Sequence, residues 1–508
     1  MKYDVVIVGG GLGGLVCAHI LSKQGLGVLV LEKNAKMGGC LQTFVHHGVR
    51  FDTGMHYIGS MDEGQVLHRL FSTLGIAEAI PLCRLDPNAY DMVMLNGEMY
   101  PYASGYEQFE HSLAQRFPQC AEQVGRYVQQ VRSIAQASPL YNLSALGRPN
   151  FLEASHHRTT IGSFVADITA NPTLQAVLLG NMPLYAGRLD TSSAYIHAIV
   201  SNSYMQSAFR IVGGSDAIAT ALCRAIERQG GCLRTNAEVV ELICDQQRMT
   251  AVRLASGELI EGRHFIASIH PWALLARIAS PLLRRAYRER IAQIPNTMSN
   301  FTLYLRFKPD TVPYLNSNLF YYHDQQAWAS DYSPDRFGQR FVFMHQCHQP
   351  NPRFAQSAEL IAPMSYSELA RWAGIPVGRR GDGYSEFKQQ RAELLIERLN
   401  SIYPGISAHI EGYCASTPLT YEGYTATAQG ATYGLMRDAN APERTFVSHR
   451  TKIPNLLACL LLLVGVKVIH DDHLADTVEA VHPDFTASLR YAFLISSADA
   501  VFAIPRMS

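Results

Sequence analysis

The chain has 508 residues. This exceeds the roughly 250–300 residues at which a single hydrophobic core stops growing, so we expect two domains. Lysine plus arginine equals aspartate plus glutamate at 43 each, so no net electrostatic field favours nucleic acid, and we expect none as a partner. The apolar share of 47% is typical of a globular protein with a large buried interior.

The ten cysteines include no pair with CxxC spacing, and several lie in apolar runs, so we expect neither a disulfide framework nor a cysteine metal site. The cluster His345–His348 is a weak metal candidate, because neighbouring side chains on a strand point to opposite faces; we predict no metal. Apolar runs fall short of about 20 residues and a strand begins near Tyr3, which argues against a membrane span and a signal peptide. A cytoplasmic protein is the simplest expectation.

The first 32 residues predict a strand, a glycine turn, a helix and a second strand. Residues 4–8 form a β-branched apolar run typical of a buried parallel strand. Glycines follow, apolar residues then recur at helical spacing up to Gly25, and residues 27–31 form a second apolar run that ends at Glu32. This order is that of a βαβ unit.

The glycines of the turn match the GxGxxG dinucleotide fingerprint, with an acidic residue after the second strand. Gly9 permits the tight turn, Gly11 lets a diphosphate approach the backbone, and Gly14 lets helix and strand pack closely. The phosphates would meet backbone amides at the positive end of the helix, and Glu32 would accept hydrogen bonds from a ribose. The turn residues predicted to contact the cofactor are Gly9, Gly11, Leu12, Gly13 and Gly14. We favour this interpretation over a purely structural glycine loop because a strand precedes the motif and a helix follows it.

Two further features favour FAD over NAD as the dinucleotide. A second glycine pair, Gly38 and Gly39, follows Glu32, and the sequence Asp52-Thr53-Gly54 comes soon after. A nicotinamide dehydrogenase does not need this second turn, whereas a longer cofactor does.

The middle of the chain has a different pattern. Residues 91–102 predict a hairpin that turns at Asn96-Gly97, residues 106–135 predict a helix, and residues 299–307 alternate like a half-buried antiparallel strand. A glycine turn at 211–215 and a helix at 216–228 then return to the nucleotide-domain pattern, with strands predicted at 236–244 and 264–269. The domain boundaries predicted from this order are 1–75, 205–285 and 415–508 for the FAD-binding domain, and 76–204 and 286–414 for the substrate domain.

The runs VVIVGGGLGGLVCAHILSKQGLGVLVLEKNAKMGGCLQTF and FDTGMHYIG resemble the flavoprotein group that contains phytoene desaturase, carotenoid isomerase and retinol saturase. Later stretches resemble it too, among them IVGGSDAIATALCRAIERQGG and STPLTYEGYTATAQGATYG. The resemblance implies an α/β fold of the two-dinucleotide-binding-domain class: a Rossmann-like FAD-binding domain with a discontinuous α+β substrate domain.

The same resemblance implies roles for individual residues. The backbone of Val239 would hold the adenine edge, and Thr53, Gly54 and the residues up to Tyr57 would lie near the isoalloxazine. The residues implied to contact the adenine dinucleotide half are Gly9, Gly11, Gly14, Glu32, Lys33, Gly38 and Gly39. FAD is the implied cofactor, and NAD(P)H is the candidate external reductant.

The resemblance also implies an apolar small-molecule substrate, a polyene or isoprenoid-like lipid whose C–C bonds are saturated, desaturated or isomerised. A redox-neutral isomerase is the first alternative, and a protein that no longer binds flavin is the second. Peripheral membrane contact follows as a hypothesis from the lipid substrate, and no pattern indicates the oligomeric state.

His56 and Tyr57 are the candidate catalytic residues. Either they face the flavin and the substrate and relay a proton, or they pack inside the cofactor domain, and the sequence leaves both alternatives open. The aromatic residues Phe320, Tyr321, Tyr322 and Trp328 are either tunnel walls or core, of which core is favoured.

The tail departs from the resemblance. Members of the group end in a glycine-containing phosphate signature and a final helix, whereas this chain reaches TKIPNLL at residues 451–457 and continues with ACLLLLVGVKVIHDDHLADTVEAVHPDF. We favour a reading-frame shift as the explanation. A divergent tail and a degenerate protein are the alternatives.

Overall fold

The computed structural model describes residues 3–138, 141 and 155–458. The predicted departure from the family signature lies beyond Ala458 and therefore outside the described residues. Within the described ranges, no helix combines the length and the apolar character needed to cross a bilayer.

The strands, in chain order, are β1 Tyr3–Val8, β2 Val28–Leu31, β3 Thr43–His46, β4 Val49–Asp52, β5 Ile58–Gly59, β6 Leu82–Arg84, β7 Asp91–Leu95, β8 Glu98–Tyr102, β9 Ala208–Ile211, β10 Cys232–Arg234, β11 Val239–Cys244, β12 Met249–Leu254, β13 Leu259–Ala267, β14 Ser299–Phe307, β15 Asn318–Tyr322, β16 Arg340–His345, β17 Ser357–Met364, β18 Ile410–Ser416 and β19 Leu456–Ala458.

The α-helices are α1 Leu12–Lys23, α2 Val66–Thr73, α3 Tyr106–Arg116, α4 Ala121–Ala137, α5 Ser155–Arg158, α6 Ile161–Ile168, α7 Pro172–Leu178, α8 Ala194–Gln206, α9 Asp216–Arg228, α10 Pro271–Ala276, α11 Arg285–Ala292, α12 Gln325–Ala329, α13 Asp382–Ile402, α14 Pro418–Thr425 and α15 Pro442–Thr445. Short 3₁₀ turns occupy Gly39–Leu41, Ala77–Ala79, Pro118–Cys120, Met182–Tyr185, Pro334–Arg336, Tyr366–Trp372, Ile406–His409 and Ala428–Gly430.

The first large sheet has the strand order β10-β2-β1-β13-β12-β11, and β19 also pairs with β13. Strands β10, β2, β1, β13 and β19 run parallel, whereas β12 and β11 are antiparallel additions. The side chains of β2 and of the last four residues of β1 are buried, because one face packs on α1 and α9 and the other on β11, β12 and the segment after β13. The Rossmann-like α/β fold predicted from the N-terminal sequence is confirmed.

The second large sheet has the order β18-β14-β17-β16-β15-β7-β8 and is antiparallel except where β15 meets β7. Its strands come from well-separated parts of the chain. The predicted hairpin at β7 and β8 is confirmed, with Asn96 and Gly97 both at positive φ, as a tight two-residue turn requires. The division of the chain into two domains at the stated boundaries stays a prediction.

Two predicted elements differ from the observed ones. The single helix expected at 106–135 is two helices, α3 and α4, because Pro118 cannot continue the first helix and starts a 3₁₀ turn. The strand at 299–307 is not half-buried: Thr302 and Tyr304 on its second face are also buried. Strand β14 lies between β17 and β18 and is covered on both faces.

Candidate functional site

A first cavity of about 530 Å³ lies where β1 and β2 end and α1 begins. This is the edge at which parallel α/β sheets bind ligands, because loops and helix N-termini converge there. The predicted cofactor residues that line it are Gly9, Gly11, Leu12, Gly13, Glu32, Lys33, Gly38, Gly39 and Val239. Gly14 does not line the cavity and is buried within α1.

The three fingerprint glycines have different structural roles. A Cβ on Gly9 would overlap the carbonyl oxygen of Ser268, and a Cβ on Gly14 would overlap the carbonyl oxygen of Gly9. Both glycines are therefore required by packing. A Cβ on Gly11 would meet no protein atom closer than the Cα of Gly39 at 4.0 Å. Packing does not explain Gly11, whereas a diphosphate held against the first turn of α1 does.

The second glycine pair closes against the first turn. The amide of Gly38 donates to the carbonyl oxygen of Gly10 at 2.7 Å. Gly39 has a φ of +56°, and its Cβ would lie 3.0 Å from the Cα of Gly11. This pair thus shapes the same turn from the other side.

Glu32 lies in the cavity wall and is almost fully buried. Its Oε2 accepts the amide of Gly10 at 2.8 Å, and its Oε1 accepts the amide of Asn34 at 2.9 Å. Each carboxylate oxygen can accept more than one hydrogen bond. The side chain is thereby held in place and keeps acceptor capacity for a ribose.

Val239 and Lys33 complete this wall. The carbonyl oxygen of Val239 accepts a hydrogen bond from Nε of Arg277 at 2.9 Å, so the backbone predicted to meet the adenine edge already has one side-chain partner. The Nζ of Lys33 donates to the carbonyl oxygen of Gly423 at 2.6 Å, which ties this loop to α14. The first cavity thus combines a glycine turn that is open at Gly11, the carboxylate of Glu32 held in place and the N-terminus of α1, and this combination fits a dinucleotide.

A second cavity, of about 850 Å³, shares part of its wall with the first. The residues that line both are Cys40, Thr425, Thr427, Ala431, Thr432 and Tyr433. Thr53, Gly54, His56 and Tyr57 line the second cavity next to Cys40, and Gly54 is pressed against Cys40, where a Cβ would come within 3.0 Å of its Cβ.

The four aromatic residues are all buried in core clusters, the alternative that the sequence favoured, and three of them also line the second cavity. Tyr321, Tyr322 and Trp328 line the second cavity, whereas Phe320 is fully buried in the core. The wall is mostly apolar, so it suits a ligand that binds mainly through buried area.

His56 pairs with a buried carboxylate at this cavity. Its Nδ1 lies 2.7 Å from Oε2 of Glu359, and Nε2 of Gln346 donates to Oε1 of Glu359 at 2.6 Å. Burial lowers the pKa of His56, but attraction to Glu359 and then to Asp52 outweighs it, so its pKa is raised. Burial also raises the pKa of Glu359, whereas the attraction within the pair favours the protonated imidazole and the ionised carboxylate.

Tyr57 begins a second buried polar chain. Its hydroxyl donates to Oδ2 of Asp91 at 2.9 Å, and Nδ2 of Asn318 donates to Oδ1 of Asp91 at 2.8 Å. Nη2 of Arg210 donates to Oδ1 of Asn318 at 2.7 Å, which fixes the orientation of that amide. Burial raises the pKa of Asp91 to about 7, although its two hydrogen bonds oppose the rise.

We expect Asp91→Asn to remove a pH dependence of stability. Because the folded-state pKa is raised, the carboxyl contributes stability below its unfolded value near 4 that is lost as pH rises to about 7, by up to about 4 kcal/mol. An asparagine can keep its oxygen toward Asn318 and donate to the Tyr57 hydroxyl. Urea unfolding at several pH values should give a flatter curve for Asp91→Asn, and the exposed control Asp167→Asn should follow the parent. Parallel curves for Asp91→Asn and the parent would contradict the assignment.

The sequence did not single out Glu359, Asp91 or Arg210 as site residues. Each is a charged residue on an otherwise apolar strand, β17, β7 or β9, and each is almost fully buried. That contrast is a usable signal, because buried charges need partners. It does not identify the partner, which depends on strand register.

The histidines of the weak metal candidate have other partners. Nδ1 of His345 accepts the amide of Leu315 at 2.8 Å, and Nε2 of His348 lies 2.7 Å from Oγ of Ser357. Over the ranges that the structure describes, no group of three His, Cys, Asp or Glu side chains is arranged to hold a metal ion.

Comparisons with known proteins agree with this geometry. Residues 7–74 match the model of an NAD(P)-binding Rossmann-like domain. The chain is 27% identical to human all-trans-retinol 13,14-reductase, over 86% of this chain and 78% of that protein. It is 22% identical to the chloroplastic prolycopene isomerase of Daucus carota, over 86% of this chain and 72% of that protein.

Among solved structures, an oxidoreductase from Methanosarcina mazei is similar with a TM-score of 0.60 at 14% identity, over 90% of this chain and 94% of that chain. At this identity the likeness concerns the fold. The resemblance predicted from the sequence is confirmed: the chain is a relative, over most of its length, of all-trans-retinol 13,14-reductases and prolycopene isomerases.

Proposed function

We propose that this chain is an FAD-dependent oxidoreductase that acts on C–C bonds of a polyene or isoprenoid-like lipid. The observation that carries the proposal is the wall shared by a dinucleotide-type cavity and a larger, mostly apolar cavity. A long cofactor in the first cavity can present its reactive end at this wall, where an apolar substrate in the second cavity can meet it.

The first cavity would hold FAD through the backbone of the glycine turn and the acid at the end of β2. The amides at the start of α1 would bind the diphosphate, Glu32 the ribose, and the strand at Val239 the adenine. Thr53 and Gly54, which line the second cavity, would lie at the flavin end beside Cys40, which lines both cavities. FAD, when bound, supplies hydride exchange with the substrate.

The chain itself binds the substrate, excludes water and holds a proton. Apolar side chains of the second cavity would supply most of the binding free energy through buried area. Nδ1 of His56 faces Glu359, so the other ring nitrogen, Nε2, is the proton-bearing atom free to act on the ligand. Tyr57 is directed toward Asp91 and acts as a wall residue that orients this corner.

The direction of the reaction is open between saturation, desaturation and redox-neutral isomerisation. The names of the relatives include both a reductase and an isomerase, so both chemistries stay candidates. NAD(P)H is the candidate external reductant for the saturating direction. The second alternative, a protein that does not bind flavin, follows from the unmatched tail.

Two measurements test the proposal. The purified chain, incubated with FAD and desalted, should retain flavin absorbance; a colourless protein would favour the non-flavin alternative. The FAD-loaded protein is incubated under anaerobic conditions with all-trans-retinol and with a carotenoid, in one sample with oxidised flavin as hydride acceptor and in another with reduced flavin as hydride donor, and the products are analysed by mass. A gain or loss of two hydrogen atoms indicates a redox reaction, an unchanged mass with altered geometry indicates isomerisation, and unchanged substrates contradict the proposal.

A further inference from the structure

The floor of the second cavity is one face of the second large sheet. Arg340, Val342 and Met344, which alternate along β16, all line it. Met344 pairs with Glu359, and Val342 pairs with Ile361 on β17. Because a strand rises about 3.3 Å per residue, the backbone at Arg340 lies ~13 Å along β16 from the backbone beside Glu359. His56, with the buried Glu359 behind it, thus lies at one end of the cavity floor and Arg340 at the other, with apolar residues between them.

Arg340 is half-buried, and none of its described neighbours forms an ion pair with it. Its Nη1 donates to the carbonyl oxygens of Ser330 at 3.1 Å and of Ala327 at 3.5 Å. A guanidinium has five N–H donors, so the donors on Nε and Nη2 have no acceptor among the described residues. Arg188, in the same cavity wall, contrasts with it because Arg188 pairs with both Asp190 and Asp331.

A second donor in this part of the wall also lacks an acceptor. Trp328 lines the cavity next to Ala327, is 5% exposed, and its Nε1–H has no partner among the described residues. Buried donors in native proteins are nearly always satisfied. In this part of the wall, N–H donors of Arg340 and Trp328 therefore have no acceptor among the described residues.

We propose that Arg340 binds an oxygen-bearing head group of the substrate, and that an apolar chain ending in a carboxylate is the preferred ligand of this cavity. The proposal rests on the proposed function only in taking this cavity as the substrate site. A planar guanidinium binds a carboxylate through two parallel hydrogen bonds, a hydroxyl through one, and a methyl end through none. The cavity should accordingly favour an amphipathic polyene over a pure hydrocarbon.

The test compares three ligands with the same polyene chain and different ends. The FAD-loaded chain is dialysed to equilibrium against all-trans-retinoic acid, all-trans-retinol and the corresponding hydrocarbon with a methyl end. We expect the acid to bind tightest and the hydrocarbon weakest. Arg340→Gln should weaken binding of the acid by about 10- to 100-fold, the range expected for hydrogen bonds to a charged group, and binding of the hydrocarbon by less than about threefold.

Arg336→Gln is the matched control. Arg336 donates to the carbonyl oxygen of Gln326 and to Oγ of Ser330 in the same loop but does not line the second cavity, so all three affinities should stay at the parent values. Equal weakening of all three ligands by Arg340→Gln would assign Arg340 to packing and overturn the inference. Hydrocarbon binding as tight as acid binding would also overturn it.

Failure to bind any of the three ligands overturns the inference as well, and the flavin absorbance of the same sample then separates two cases. A yellow protein without ligand binding contradicts the substrate cavity but leaves the cofactor site standing. A colourless protein contradicts the proposed function itself.

Discussion

Replacing Gly11 with alanine is expected to weaken FAD binding by about 10- to 100-fold while the fold is retained. Gly11 has an extended backbone, with φ −73° and ψ 178°, which any residue can adopt. Its added Cβ would contact no protein atom closer than 4.0 Å, so the free energy of unfolding should change by less than about 1 kcal/mol. The same Cβ would occupy the space through which a diphosphate approaches α1, and an overlap of that kind costs about 1–3 kcal/mol.

Gly14→Ala is the matched comparison, because its Cβ would overlap the carbonyl oxygen of Gly9 and crowd the side chain of Ile7. We expect Gly14→Ala to lose about 1–3 kcal/mol of stability even without cofactor. Flavin fluorescence titration measures binding, and urea unfolding of the cofactor-free proteins measures stability. Parent-like FAD affinity in Gly11→Ala would show that no diphosphate approaches this turn.

The part of the site that could be predicted from sequence is the part built by neighbouring residues. Gly9, Gly11 and Glu32 lie within one βαβ unit, so their spacing alone places them at the end of β1 and β2. The hairpin at Asn96-Gly97 is likewise formed by residues that are neighbours in the sequence. In each case a short stretch of backbone sets most of the geometry.

The part that could not be predicted depends on pairing between distant segments. His56 follows β4, whereas Glu359 lies on β17 between β14 and β16, and only the assembled sheet brings them to 2.7 Å. Alternation along residues 299–307 predicted a strand but not its neighbours, so the burial of its second face was missed. Long-range register is therefore the missing information, since it decides which buried charges meet.

Glu359→Gln is expected to move the alkaline limb of the pH–activity profile to lower pH. In the parent protein the carboxylate offsets the burial of His56 and raises its pKa. A neutral glutamine of the same shape keeps the hydrogen bond from Gln346 but removes that attraction, so burial alone then lowers the pKa of His56. If the proton on His56 is used in the reaction, activity near pH 8 should fall about tenfold for each unit of that decrease.

The stability of the same variant gives an independent measurement of the pair. A histidine whose folded-state pKa is raised contributes stability below its unfolded pKa near 6.5 and loses it as pH rises through the folded value. Glu359→Gln should therefore lose most stability at low pH, by about 3–5 kcal/mol if His56 stays charged and by less if it becomes neutral. The control Glu241→Gln breaks an exposed pair with Arg253 and should cost less than about 1 kcal/mol at any pH.

A double-mutant cycle with His56→Gln separates the pair from general damage to the core. If Glu359 acts through His56, then in the His56→Gln background Glu359→Gln should leave the pH–activity profile unshifted. The stability lost by the double variant should also be smaller than the sum of the losses of the two single variants. Additive losses, or a profile that moves to higher pH, would mean that Glu359 does not position a proton on His56. The buried acid would then serve only the packing of β17, and the proton required for the proposed chemistry would have to come from another group in the cavity wall.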